Sequence, residues 1–374
     1  MSRLQTAVLV SAVVLVAGCG GSSGSTDAPT TGVPSGGKPT PTVSAVAADS
    51  TEVATSIAAT TTSILSLDTL SGRLAIRAVG CGDALNERNE DPSYVVCTMN
   101  IDGTDVREIA TNVGALDRPD WSPDGTRLQW TEEVGPSVGV VVAAADGGDR
   151  RWVIETGSWV AATWSPDGTE VAMLGTVGLF VVGSTVTVTG SPMNPWANIE
   201  RAGGRQILTF DLRPANFDWS PDGRSFVLVT GYSPVTTELL PCEILVSANA
   251  DGSNLAELTS AGADEGVPCA FAAQWSPDSS MIAFAGERRE VDDGVWGVYV
   301  VDSDGSGLRP VVEVDRPVMD VAWSPDGTHL AYIVLGSESD PDRLVVSTVD
   351  GGQSIEVPVP VGLAWSMASL DWGP

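Results

Sequence analysis

Trp121-Ser122-Pro123-Asp124-Gly125 is one of four identical pentapeptides, the others occupying residues 164–168, 219–223 and 323–327. A variant ending in serine stands at residues 275–279, and Trp372-Gly373-Pro374 echoes the opening of the word. Successive tryptophans are 43, 55, 56, 48 and 49 residues apart. A fixed word at such intervals is the mark of a repeat architecture. Serine, proline and glycine at the first, second and fourth positions suit a type I turn. Proline pre-sets φ, and glycine takes a left-handed φ without a Cβ clash. Seven and nine residues after each tryptophan come Leu128 and Trp130, Val171 and Met173, Phe226 and Leu228, Ile282 and Phe284, Leu330 and Tyr332. That period-two apolar pattern predicts a strand, so the word is the hairpin between two antiparallel strands. In five modules a second strand pair follows, hinged on Asp102-Gly103, Asp146-Gly147, Asp251-Gly252, Asp304-Gly305 or Asp350-Gly351. Strand, turn, strand, loop, strand, turn, strand is one propeller blade.

Six modules can be counted, the first opening without its tryptophan at Ser71-Gly72. Third strands are predicted at residues 94–99, 138–144, 243–247, 297–301 and 344–348. In the third module either 179–182 or 196–201 fits, and residues 190–203 read as an insertion. Residues 369–374 repeat the first strand of a module and stop. The expectation is an all-β, six-bladed β-propeller of four-stranded antiparallel blades, closed by this C-terminal strand. Residues 64–68 are the alternative closing strand. Closure removes the sheet edges that invite aggregation.

The chain has 374 residues, 43% of them hydrophobic, with 41 glycines and 24 prolines, which suits one large all-β domain. Its 48 acidic and 19 basic residues leave a net charge of −29, and Lys38 is the only lysine. Such a surface repels phosphate backbones and excludes nucleic acid as a partner. It promotes solubility and leaves weak binding of cations or basic partners open.

Residues 1–18 read as a signal peptide: Arg3 supplies the positive end and residues 6–17 an apolar run. That run is too short for a spanning helix, which needs about 20 residues. Val16-Ala17-Gly18-Cys19 resembles the lipobox of bacterial lipoproteins. The resemblance implies that Cys19 is lipidated and holds the chain to a bacterial membrane on its extracytoplasmic side. Two or more acyl chains anchor stably where one does not. Residues 19–62, rich in Gly, Ser, Thr, Pro and Ala, read as a flexible tether with a reach of roughly 35 Å. The propeller then occupies residues 63–374.

Cys81, Cys97, Cys242 and Cys269 remain, an even number suited to an oxidising compartment. Three pairings are open, and Cys81–Cys97 with Cys242–Cys269 needs the least chain travel. No C-x-x-C pair is present, which argues against zinc.

Tandem W-S-P-D-G words, each followed by an apolar strand and most by an Asp-Gly hairpin, resemble the repeats of TolB-like six-bladed β-propellers. The likeness covers residues 63–374. It implies the fold, and it implies one of several roles: a periplasmic binding or scaffold protein, or the propeller cap of a prolyl-oligopeptidase-like peptidase. The peptidases carry a separate α/β-hydrolase domain, for which this chain has no room.

The residues themselves point to no catalytic group, metal or cofactor. His329, the only histidine, sits six residues after Trp323, where other modules have Arg127, Glu170, Ser225 or Met281. That is a surface or packing position. Two G-x-S-x-G matches, at 20–24 and 135–139, lack the strand-to-helix context of a nucleophile elbow. The repeated aspartate of the pentapeptide is turn chemistry. Residues 302–313 have the ligand spacing of a calcium loop, but their flanks read as strands where an EF-hand needs helices.

The pentapeptide and Asp-Gly turns share one face, because strands alternate in direction. Loops of the opposite face carry Asp83, Glu87, Glu90 and Asp91; Glu132 and Glu133; Glu287, Glu290, Asp292 and Asp293; and Glu338, Asp340 and Asp342. Arg88, Arg288, Arg289 and Arg343 are interleaved. These residues are the candidate binding face for a protein or peptide partner. The alternative is a carboxylate-dependent hydrolase or lyase acting on a cell-envelope glycan or small molecule. It needs two carboxyls about 5–9.5 Å apart in one cleft. Trp130, Trp152, Trp159 or Trp296 would be its sugar platforms.

Overall fold

The computed structural model describes residues 65–79, 81, 94–113, 118–134, 137–156, 161–175, 178–188, 195–209, 214–234, 236, 238–260, 267–289, 294–337, 340–359 and 369–374. All lie in one compact unit, residues 61–374. The signal peptide, Cys19 and the tether fall outside the described residues.

The pentapeptides turn as their chemistry requires. In each, the fifth residue's N–H donates to the serine carbonyl, as from Gly125 to Ser122 and from Gly223 to Ser220, both at 2.8 Å. The glycine φ lies between +66° and +74°, and Ser279 of the variant takes +59°. Flanking each turn is an antiparallel pair, and the period-two residues named above are all buried.

Six blades result. Blade 2 is Asp120–Trp121, Arg127–Val134, Ser137–Ala144 and Arg151–Thr156. Blade 3 is Ala161–Trp164, Glu170–Gly175, Gly178–Gly183 and Arg205–Thr209. Blade 4 is Asn216–Trp219, Ser225–Tyr232, Leu239–Asn249 and Ala256–Glu257. Blade 5 is Cys269–Trp275, Met281–Arg288, Val295–Asp302 and Arg309–Val314. Blade 6 is Val318–Trp323, His329–Val334, Arg343–Thr348 and Ser354–Val357. Blade 1 takes its inner strand from the C-terminal segment, Ser369–Gly373, followed by Arg73–Ala78, Tyr94–Asn100 and Arg107–Val113. Leu74 faces Trp372 and Ile76 faces Leu370 across that closing pair. Of the alternative closing segment, Leu67 and Asp68 lie in a short 3-10 turn, Leu67–Thr69.

The core is divided among the six blade interfaces. Ala75, Val96, Leu128, Trp130 and Val141 fill the interface of blades 1 and 2, and comparable clusters fill the other five. Burial of each Val, Leu or Ile side chain contributes about 1.5–3 kcal/mol.

Blade 3 departs from the repeat, as its missing Asp-Gly hairpin foretells. Residues 196–201, one of two candidates for its third strand, lie in an α-helix, Pro195–Arg201, and the third strand is Gly178–Gly183. Proline suits a first helical position. Trp196 and Ile199 recur at three-residue spacing, and both pack between blades 2 and 3, with Trp196 stacked on Phe180 at 4.3 Å.

Both disulfides take the pairing of least chain travel. Cys81–Cys97 lies within blade 1, and Cys242–Cys269 joins the third strand of blade 4 to the inner strand of blade 5. Residues 302–313 form the expected hairpin: Gly305 N–H donates to the Asp302 carbonyl at 2.9 Å. Glu313, the twelfth position, instead pairs with Arg288 at 3.1 Å and accepts the Tyr299 hydroxyl at 3.2 Å.

Candidate functional site

The inner strands of a propeller present an unpaired edge to the central channel, where backbone N–H groups need partners. Side chains one and three residues before each tryptophan point toward that channel, because strand side chains alternate. The first set is Asp120, Thr163, Asp218, Gln274, Ala322 and Asp371. Several of its members reach across to the next blade. Trp121 N–H donates to Asp371 Oδ2 at 2.9 Å, and Trp164 N–H to Asp120 Oδ2 at 3.0 Å. Trp275 N–H donates to Asp218 Oδ2 at 2.8 Å, and Trp323 N–H to Gln274 Oε1 at 2.7 Å. Two more links come from the deeper layer. Ala273 N–H donates to Asn216 Oδ1 at 3.0 Å, and Leu370 N–H to Asp320 Oδ2 at 3.1 Å.

One rule covers all six links: an acceptor at one position of an inner strand takes the N–H of the following position on the next blade. Between blades 3 and 4 a hydroxyl substitutes. Thr163 Oγ1 donates to Asp120 Oδ2 at 2.9 Å and lies 3.5 Å from Asp218 Oδ1.

Four buried aspartates therefore ring the channel, and Arg118 answers them, 3.7 Å from Asp218. Burial opposes the charge on Arg118, but Asp320, Asp218, Asp371 and Asp120 outweigh it and raise the pKa of the guanidinium. Burial likewise pushes the Asp218 carboxyl up to about 6, against the pull of Arg118. Asp320 is raised by burial, and Asp120 by burial together with the charge of Asp371.

Above this ring, on the pentapeptide face, the channel opens into a cavity of about 370 Å³. The six tryptophans at 121, 164, 219, 275, 323 and 372 line it, together with the six prolines at 123, 166, 221, 277, 325 and 374. Asp120, Asp218 and Asp371 form part of its floor. Apolar rings and prolines with a few polar groups below are the make-up of a binding pocket.

The ring and its mouth lie apart from the acidic loops that stand out in the sequence. The signal was present, in the residue before each tryptophan, which is polar in five of six repeats. Of the candidate binding-face residues, Asp83, Glu87, Glu90, Asp91, Glu290, Asp292, Asp293 and Glu338 lie outside the described residues. Glu132 is buried and pairs with Arg150, while Glu133 is exposed. Glu287 pairs with Arg289 at 2.9 Å, Asp340 with Arg316 at 3.6 Å, and Asp342 accepts the Gly336 N–H at 2.6 Å.

The sugar-platform tryptophans are packed among neighbours. Trp130 is fully buried, Trp152 lies under Arg150 at 5.5 Å, and Trp296 stacks on Phe271 at 5.2 Å; Trp159 lies outside the described residues. His329 is half-buried and bonds to its neighbour Thr328 at 2.6 Å. The pentapeptide aspartates are internal to their turns. The Ser122 hydroxyl donates to Asp124 Oδ1 at 2.7 Å and holds its pKa down, as Ser165 does for Asp167. Among the described residues, no three His, Cys, Asp or Glu side chains converge as metal ligands.

No protein-family model matches the chain. It is similar to the Tol-Pal system protein TolB of Hydrogenovibrio crunogenus, at 38% identity over 73 residues, 20% of this chain and 16% of that one. To the protein of the same name from Alkalilimnicola ehrlichii it is 31% identical over 185 residues, 42% of this chain and 40% of that one. The chain thus spans less than half the length of the curated relatives it matches. Among solved structures, TolB from Acinetobacter baumannii superposes with a TM-score of 0.60 at 14% identity, covering 82% of this chain and 67% of that one. At that identity the likeness speaks for the fold.

Proposed function

We propose that the chain is a protein-binding module of the bacterial cell envelope, of the kind its TolB relatives are named for, which seats a segment of a polypeptide partner in the tryptophan- and proline-lined mouth of its channel. The observation that carries this reading is the mouth itself: a cavity of about 370 Å³ walled by one tryptophan and one proline from every blade. Aromatic anchors in a desolvated pocket are where protein partners gain most of their affinity. The acyl chains on Cys19 and the tether of residues 19–62 hold the module to the membrane on its extracytoplasmic side. A carboxylate-dependent hydrolase or lyase fits less well. It needs two free carboxyls facing a cleft, whereas the channel aspartates are engaged by backbone N–H groups and Arg118.

The test is photo-crosslinking in cells. A crosslinking amino acid placed at Pro123 or Pro277 is expected to trap a discrete protein partner. The same group at Glu133 or Arg289, on the opposite face, is not. The trapped partner, purified, should bind wild type in calorimetry and lose that binding when Pro123 and Pro277 are replaced by arginine. Crosslinks confined to the opposite face would move the site there and restore the acidic loops as the binding surface. A Cys19→Ser variant should leave the membrane fraction; retention there would remove the lipid anchor from the proposal.

A further inference from the structure

The first residues of the second and fourth strands lie on one side of a blade, separated by the third strand. Register makes them equivalent from blade to blade. In blade 1 they are Arg73 and Arg107, in blade 2 Arg127 and Arg151, and in blade 3 Glu170 and Arg205. Two strand spacings and a two-residue offset separate them, roughly 12 Å, so long side chains can converge over the strand between.

In blade 1 two arginines share one acid. Arg73 Nη1 donates to Asp105 Oδ2 at 2.8 Å and Arg107 Nε to Asp105 Oδ1 at 2.9 Å. In blade 3 the pair is complementary, and Arg205 grips both carboxylate oxygens of Glu170. Blade 2 has the arginines of blade 1 and a counterpart of its acid. Asp149 has the sequence position of Asp105 and nearly its backbone, φ +51° against +53°. Yet Asp149 is exposed and forms no ion pair with either arginine. The reason is visible next door. Arg151 donates through Nη2 to the Ser184 carbonyl of blade 3, which draws its guanidinium into the cleft between the blades.

That cleft has a volume of about 420 Å³, and its lining includes Arg127, Arg151, Ser184, Thr185, Asp124 and Asp167. Arg127 Nη1 and Arg151 Nη1 are both buried without a hydrogen-bond partner. Burial and the adjoining charge of Arg127 hold the pKa of Arg151 below its ordinary value, against the opposing charge of Asp149. Each guanidinium thus keeps one donor without a partner, and among the described residues neither is ion-paired, to Asp124, Asp167 or any other acid.

We propose that the cleft between blades 2 and 3 is a carboxylate-binding seat, in which Arg127 and Arg151 grip one carboxylate from outside the chain as Arg73 and Arg107 grip Asp105. The planar guanidinium fork matches a carboxylate in two-pronged geometry. Asp124 and Asp167 in the lining oppose a doubly charged anion more than a singly charged one, which favours a carboxylate over a doubly charged phosphate. The seat stands independently of the partner reading above.

The experiment is a titration of the full chain, carrying 15N-labelled arginine, with sodium acetate against sodium chloride at equal ionic strength. The side-chain resonances of Arg127 and Arg151 are expected to move together along one saturating curve. Those of Arg73 and Arg107, whose seat is already filled, should stay in place. Arg127→Gln and Arg151→Gln, with unchanged melting temperatures, should each weaken the apparent Kd at least tenfold. Unmoved arginine signals, or a curve that survives either glutamine variant, would overturn the proposal. So would binding that appears only in Asp149→Asn, because the seat would then belong to Asp149.

Discussion

Asp218→Asn is expected to make the propeller more stable at neutral pH. Asp218 is buried beside Arg118 and accepts the Trp275 N–H at 2.8 Å. Burial dominates: it lifts the carboxyl from 3.8 to about 6 even with Arg118 in place. Between those two values the folded state keeps a proton that the unfolded state has lost, so stability falls as pH rises through the window. Below the lower value no penalty exists, and above the upper one it is complete. A gap of about 2 units at 1.36 kcal/mol each amounts to about 3 kcal/mol. Asparagine removes the titration, and its carbonyl can still accept from Trp275. The lost attraction to Arg118 is already contained in the upper value, so the expected gain stands near that figure. For a unit spanning residues 61–374 it corresponds to roughly 4–5 °C in melting temperature.

Thermal unfolding followed by tryptophan fluorescence between pH 4.5 and pH 8 provides the assay. Wild type and Asp218→Asn should differ least at the acid end, by about 1 kcal/mol, and diverge toward pH 8, with the variant the higher. Asp120 and Asp320 are raised in the same direction, so some slope should remain in the variant. The turn aspartates act with the opposite sign. Hydrogen bonds from Ser122 and Ser165 lower Asp124 and Asp167, so their contribution is lost only below the assay window. A variant less stable than wild type at pH 7–8 would refute the reasoning, because the ionised carboxylate would then be a net stabiliser of the channel.

Deleting residues 369–374 removes the buried Leu370 and Trp372 and the acceptor of the Trp121 N–H. A loss of at least about 5 kcal/mol is expected, and an unchanged melting temperature would exclude closure by this strand. Gly223→Val places a Cβ at φ +74° but only 3.9 Å from Pro166, an ordinary contact, so the cost is conformational. It should read as about 1–2 kcal/mol in urea titration, and no change would mean the turn is not left-handed at that residue. Removing both Cys242 and Cys269 opens a closure of 27 residues. It should cost about 3–4 kcal/mol, measured against the reduced and oxidised wild type.

Blade number, register and closure were legible because they rest on local chemistry that recurs. A Ser-Pro-Asp-Gly turn followed by alternating apolar residues specifies a hairpin wherever it stands. Its repetition leaves a ring as the arrangement that buries every face. Blade 3 was legible only in part. The absence of an Asp-Gly hairpin marked the departure, but Trp196 and Ile199 carry too short a pattern to separate helix from strand without Phe180 to pack against. The candidate site was least legible. Charged loops on one face drew attention through composition, whereas the described members of that set are largely engaged by local partners, as Glu287 is by Arg289 and Asp340 by Arg316.

The channel ring escaped notice for a more specific reason. An N–H on an inner strand edge needs an acceptor, and geometry dictates only that it come from the preceding blade, one position earlier. Two registers satisfy that condition. Blades 1, 2, 4 and 5 place the acceptor immediately before the tryptophan, at Asp371, Asp120, Asp218 and Gln274. Blade 6 has Ala322 there and uses Asp320, two residues earlier, to hold Leu370. A search for one conserved acid per repeat therefore finds an irregular scatter of Asp, Thr, Gln and Ala. The regularity belongs to the backbone donors, and the side chains meet it from whichever layer can reach. Arg118 follows from the same need. Four carboxylates that serve as acceptors also carry charge into a buried channel, and one guanidinium among them offsets part of the cost of burying those charges.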